Sequence, residues 1–238
     1  MRPLPLVCTT FTVPWHSFTL HGDRCTPTAI VGQALILHGG GTSAGAGFAE
    51  LRQTLWNHGI ESLVFDAVGH GKTGGSQLGT TLADRVGQCL AVIAHQQLQP
   101  QALTLLGFSM GAYVAVKVAE RAPLAGLCLA IPAAYSAQAF HLPFGSAFSQ
   151  CIRQPRSWDN SDAFDVLGRY PGRLLVLAAG KDVVIPAEIP GRLYQSAQHA
   201  SAREHHVVAE SGHDLGAHYA LHPPARLQAY AAILHLWA

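Results

Sequence analysis

A serine flanked two positions away on each side by glycine, Gly107-Phe108-Ser109-Met110-Gly111, follows the apolar run ALTLLGF and precedes the helical run AYVAVKVAERA. Small residues at those two positions permit the sharp strand-to-helix turn that lifts a serine hydroxyl clear of a sheet. Serine attacks a carbonyl carbon poorly at neutral pH unless a base takes its proton and a carboxylate fixes that base in the right tautomer. Partners of both kinds follow in the chain: Asp182, in GKDVVIP just beyond the run RLLVLAA, and His213, in SGH beyond HHVVA. Ser109, His213 and Asp182 therefore read as nucleophile, general base and orienting acid. Asp159, Asp162 and Asp165 compete for the acid, and His205, His206 and His218 for the base. Position after a strand favours Asp182, and the SGH context favours His213. His213, His218 and His222 lack the HExxH spacing of a zinc site, so no metal is expected, and chemistry by a serine, a histidine and an acid requires no organic cofactor.

A second stretch with chemical potential is LILHGGGTSAGAG, residues 35–47. Its glycine turn fits two uses. Gly39-x-Gly41-x-x-Ala44, with Asp66 some twenty residues on, matches the dinucleotide-binding fingerprint. The same turn also suits the presentation of backbone N–H groups beside a reacting carbonyl.

These residues need a scaffold, and the chain supplies one in alternating segments. Short, nearly continuous apolar runs at 34–38, 61–66, 102–108, 126–131, 173–179 and 205–209 read as strands covered on both faces. Between them, Phe48, Leu51 and Leu55, then Leu82, Val86, Leu90 and Ile93, then Val114 and Val118 recur at helical spacing. The sum is an α/β fold: a mostly parallel, doubly wound sheet with helices on both faces. The first thirty residues, with FTVPW and SFTLHGD, predict a short antiparallel edge. Residues 132–172 break the rhythm with Phe140, Leu142, Phe144, Phe148, Trp158 and Phe164 among prolines and polar residues. So long a structureless loop is unusual in a compact domain, and the segment is expected to form a small helical lid on a single domain spanning 1–238.

Composition narrows the partners. The 238 residues carry a formal charge of +1 with 12% charged residues, which gives no basic field for nucleic acid. No apolar run reaches the roughly 18 residues needed to cross a bilayer, and the N-terminus lacks a clear signal-peptide pattern. The expected partner is a small molecule and the expected location the cytoplasm. Five cysteines without a CxxC pair read as free thiols in a reducing compartment.

In chain order, HGGG (38–41), DAVGHGKT (66–73), GFSMG (107–111), GKDVVIP (180–186) and SGH (211–213) make the chain resemble the α/β-hydrolase-fold serine hydrolases over nearly its full length. The DAVGHGKT piece is similar to that of short-lidded acyl esterases, monoacylglycerol lipases and thioesterases, with Thr73 where serine is usual. The resemblance implies that Gly40, or failing it Gly41, and Met110 supply the oxyanion-hole N–H groups. It also implies that Asp66 braces the Gly69–Gly71 turn rather than holding a ribose. His38 and His70 precede the acid in the chain and read as structural donors. The implied substrate is an ester or thioester of a small to medium hydrophobic acyl group. The same constellation also serves amidases, lyases and acyltransferases, and the fold also serves non-catalytic ligand receptors.

Overall fold

The computed structural model describes residues 6–238. Its N-terminal hairpin consists of β1 (Cys8–Trp15) and β2 (Phe18–Cys25), followed by β3 (Gly32–Leu37), α1 (Ala49–Asn57) and β4 (Ile60–Asp66). Next come α2 (Leu82–His95), β5 (Leu103–Phe108), α3 (Met110–Ala119) and β6 (Gly126–Ala130). The insertion carries α4 (Ser146–Ile152) and α5 (Ala163–Gly168). It is followed by β7 (Arg173–Ala179), α6 (Glu188–Ser196), β8 (Ala202–Val208), α7 (Leu215–Leu221) and α8 (Pro223–Leu234).

All eight strands form one sheet in the order β1-β2-β4-β3-β5-β6-β7-β8. The hairpin and its contact with β4 are antiparallel, and every later neighbour pair is parallel. The six apolar runs are therefore the six strands from β3 to β8, and the early β-rich segment is the expected antiparallel edge.

Strand alternation divides the core in two. Leu35 and Leu37, Leu103 and Leu105, Leu127 and Leu129, and Leu174 and Val176 project to the layer holding α2, α3 and the insertion. Ala34, Ile36, Leu106, Cys128, Ala130, Leu175 and Leu177 project to the opposite layer, with Leu51 and Leu55 of α1 and Ala229, Ala232 and Ile233 of α8. Burial on both faces explains why these strands read as unbroken apolar runs.

The helix α2 begins with a capping box. Thr81 Oγ1 accepts from Asp84 N at 3.0 Å, and Asp84 Oδ2 accepts from Thr81 N at 2.8 Å. Leu82, Val86, Cys89 and Ile93 then line its inner face, and Arg85 shares that face.

The insertion is packed rather than loose. Phe140, Phe144, Phe148, Trp158 and Phe164 are all buried, with Phe144 edge-on to Phe148 at 4.8 Å and Tyr135 edge-on to Tyr113 of α3 at 5.1 Å. These aromatics are used in fastening the insertion to the domain. Asp162, just before α5, completes the attachment: it accepts from the buried Lys117 at 2.7 Å and from Tyr113 Oη at 3.1 Å, both on α3.

The cysteine expectation is corrected. Cys8 and Cys25 lie opposite each other in the β1–β2 register and form a disulfide, while Cys89, Cys128 and Cys151 are free. Among the described residues, no helix is long and apolar enough to cross a membrane.

Candidate active site

The chain builds β4 on one side of β3 and β5 on the other, which opens a crevice between the C-terminal ends of β3 and β5. Register pairs Leu37 with Gly107, so the glycine turn after β3 lies beside the serine after β5. A Cβ placed on Gly39 would stand 3.4 Å from that of Ser109.

Ser109 adopts φ +53° and ψ −116°, a left-handed conformation that costs a non-glycine residue about 1–3 kcal/mol. Its backbone is held on both sides: Ser109 N donates to Ala130 O at 2.9 Å, and Ser109 O accepts from Ala112 N at 3.0 Å and Ala133 N at 3.2 Å. The turn is tight enough that a Cβ on Gly107 would strike Gly111 O and Ala112 Cα. One on Gly111 would strike the Leu37 and His38 carbonyls. The two glycines are thus required by close backbone approach.

His213 Nε2 lies 3.1 Å from Ser109 Oγ, and His213 Nδ1 lies 2.8 Å from Asp182 Oδ2. The Asp182 carboxylate is 7% exposed, and its other oxygen accepts from Val184 N at 2.8 Å and Ile185 N at 3.0 Å. With Nδ1 committed to the carboxylate, Nε2 is left free to accept a proton from the serine.

The glycine turn is fixed from behind. Gly39 O accepts from His38 Nδ1 at 2.7 Å and from Arg85 Nη1 at 3.2 Å. A trans peptide points its C=O and N–H in opposite directions, so this anchors the Gly40 N–H away from Arg85. Among the described residues, neither the Gly40 N–H nor the Met110 N–H finds a protein acceptor. His38 Nε2 accepts from Ala67 N at 3.0 Å, which leaves the proton on Nδ1. Burial and the adjacent Arg85 guanidinium push its pKa down to about 3. His70 Nε2 accepts from Arg85 Nη2 at 3.0 Å, and burial followed by Arg85 lowers its pKa as well. Both imidazoles are therefore neutral parts of the frame.

Several polar residues near the motifs are engaged elsewhere. Asp66 accepts from Gly45 N and Lys72 N, both at 2.8 Å, and bears against the Gly71 turn. Asp159 pairs with Arg156 and Arg192. Lys181 pairs with Glu210, and Asp214 caps α7 through Ala217 N at 2.9 Å. His218 and His222 face each other at a tilt, with ring centres 4.4 Å apart. Among the described residues, the one trio at metal-ligand spacing is Cys8, Asp23 and Cys25, whose two sulfurs are bonded to each other. Sequence reasoning missed Arg85. The available signal was a cation three residues after Leu82, on the apolar face of α2.

Residues 28–158, just over half of the chain, match the Hydrolase_4 family, described as serine aminopeptidase, S33. An uncharacterized protein of Mycobacterium tuberculosis is 28% identical over 187 residues, covering 77% of this chain but only 63% of that protein's length. Among solved structures, the chain is similar to an esterase from Exiguobacterium antarcticum, with TM-score 0.68 at 17% identity over 93% of this chain and 98% of that one. It is also similar to Est1E from Butyrivibrio proteoclasticus, determined with ferulic acid bound, with TM-score 0.70 at 18% identity over 93% and 96% of the two chains. At such identities the likeness establishes the α/β-hydrolase architecture.

Proposed function

Because this chain belongs to the Hydrolase_4 family of α/β hydrolases, we propose that it is a serine hydrolase cleaving a carboxylic ester or thioester through Ser109, His213 and Asp182. The observation that carries the reading is the unbroken line of contacts from Asp182 Oδ2 to His213 Nδ1, 2.8 Å, and from His213 Nε2 to Ser109 Oγ, 3.1 Å. Ser109 Oγ bonds to the carbonyl carbon as its proton passes to His213 Nε2. The carbonyl oxygen takes up the negative charge against the N–H groups of Gly40 and Met110. Asp182 stabilises the imidazolium. His213 then returns the proton to the departing alcohol or thiol, leaving an acyl-serine. A water molecule, deprotonated by His213, attacks that acyl carbon; the bond to Oγ breaks, His213 returns the proton to Ser109 Oγ, and the carboxylic acid leaves.

The chain is read as one domain over 1–238, with residues 132–172 as a lid beside the crevice. The acyl group is read as hydrophobic and small to medium, supported by Val183 and Val184, which present apolar surface next to Asp182. No metal enters the scheme, because every proton has an assigned carrier among the three side chains.

A fluorophosphonate probe tests the nucleophile directly. Wild type is expected to label covalently and Ser109→Ala to remain unlabelled while folded. Nitrophenyl esters of increasing chain length, run beside acyl-coenzyme A thioesters, then rank the acyl and leaving groups. Folded wild type that neither labels nor turns over any of these substrates would overturn the reading.

A further inference from the structure

Resting on the oxyanion assignment made under Proposed function, we propose that Arg85 is a positioning residue for catalysis: its guanidinium locks the Gly39–Gly40 peptide with the Gly40 N–H turned toward the developing oxyanion. Arg85 is 5% exposed, yet among the described residues no carboxylate pairs with it. Its hydrogen-bond partners are Gly39 O and the His70 ring, and its Nε has no partner. Burial pushes its pKa down to about 10, which leaves it cationic at neutral pH.

A buried cation without a counter-charge is costly, and a core position on α2 has no need of one for packing. The neighbours are arranged to keep that charge uncompensated. His38 and His70 are held neutral, and Asp66 is occupied by the backbone of the Gly45 and Lys72 turns. The positive end of the assembly is therefore directed along the Gly39 carbonyl. Polarising that carbonyl makes the N–H at the other edge of the same peptide a stronger donor. The capping box at Thr81 and Asp84 fixes the first turn of α2, and the Phe144 ring of the insertion lies 5.9 Å from the guanidinium carbon. The clamp is thus held from the helix on one side and the insertion on the other.

A residue acting through an oxyanion donor changes the chemical step and leaves substrate binding largely alone. The test is steady-state kinetics on a nitrophenyl ester with wild type, Arg85→Gln, Arg85→Lys and Arg85→Ala, active sites being counted by fluorophosphonate titration. Arg85→Gln is expected to lose about a hundredfold in kcat per titrated site, with KM within about threefold. Arg85→Lys keeps the charge but not the fork, and is expected to lose about tenfold. Adding about 50 mM guanidinium, far below the molar range that unfolds proteins, is expected to restore part of the Arg85→Ala activity and none in wild type. A folded Arg85→Gln protein with undiminished kcat per titrated site overturns the inference. If Arg85→Gln does not fold, Arg85→Lys decides, and full kcat there overturns it equally. Wild type that fails to label or turn over defeats the underlying serine-hydrolase reading instead, so the two failures are distinguishable.

Discussion

His213 presents Nε2 to Ser109 Oγ at 3.1 Å, although 104 residues separate them in the chain. The serine is delivered by the turn after β5 and the histidine by the loop after β8, so strand order brings both to the same edge of the sheet. Asp182, after β7, completes the line because its own loop folds back onto the carboxylate through Val184 N and Ile185 N.

Asp182→Asn should leave the fold intact and reverse the tautomer of His213, because an amide donates where the carboxylate accepted. The expected loss in kcat is about 10⁴-fold. Ester hydrolysis by the purified variant, beside wild type at equal labelled-site concentration, checks it. A loss below about tenfold would remove Asp182 from the proposed triad.

His38 should make stability depend on pH. In the unfolded chain its imidazole takes a proton near 6.5, whereas in the fold it resists protonation down to about 3. The unfolded state therefore binds more protons as pH falls below 6.5, and stability drops progressively toward pH 3. Between pH 7 and 5 this one group should account for about 2 kcal/mol of lost stability. Urea unfolding of wild type and His38→Asn at the two pH values measures it, and the variant should show the smaller drop.

The Cys8–Cys25 bond should leave three titratable thiols in the denatured, unreduced protein, against five after reduction. Its loop of 17 residues implies about 3 kcal/mol of stabilisation through restriction of the unfolded chain. Thermal melts with and without reductant, together with Cys8→Ser, read that difference.

Asp162→Ala should loosen the insertion. The change leaves the buried Lys117 with Glu120 alone and removes the acceptor of Tyr113 Oη. Asp162 is a third exposed, so the destabilisation should be about 1–3 kcal/mol, below that of a fully buried pair. Limited proteolysis should then cut first between residues 132 and 172.

Most of the architecture was legible in the sequence because strands covered on both faces write themselves as apolar runs. The elbow was legible because Gly107 and Gly111 are required by backbone contacts that no side chain can enter. The disulfide was missed although its signal was present: with Trp15 opposite Phe18, a two-residue turn places Cys8 opposite Cys25. Reading the hairpin register, rather than counting cysteines, would have found it. The insertion aromatics were visible as a cluster but their use was not, since composition cannot distinguish residues lining a cleft from residues packing a flap onto a helix. Arg85 was obscured by chain distance, because nothing near position 85 announces a carbonyl at position 39.

The pairing of Leu37 with Gly107 places the Gly39–Gly41 turn and Ser109 at the ends of adjacent strands at the middle of the sheet. The segment between β6 and β7 supplies neither of them. It is nevertheless fastened to them, through Ala133 N on Ser109 O and Phe144 beside Arg85, so a graft there has to keep those contacts if the rate for admitted molecules is to stay near its original value. Directed diversification of this scaffold is therefore best confined to residues 132–172 with Ala133, Phe144 and Asp162 kept.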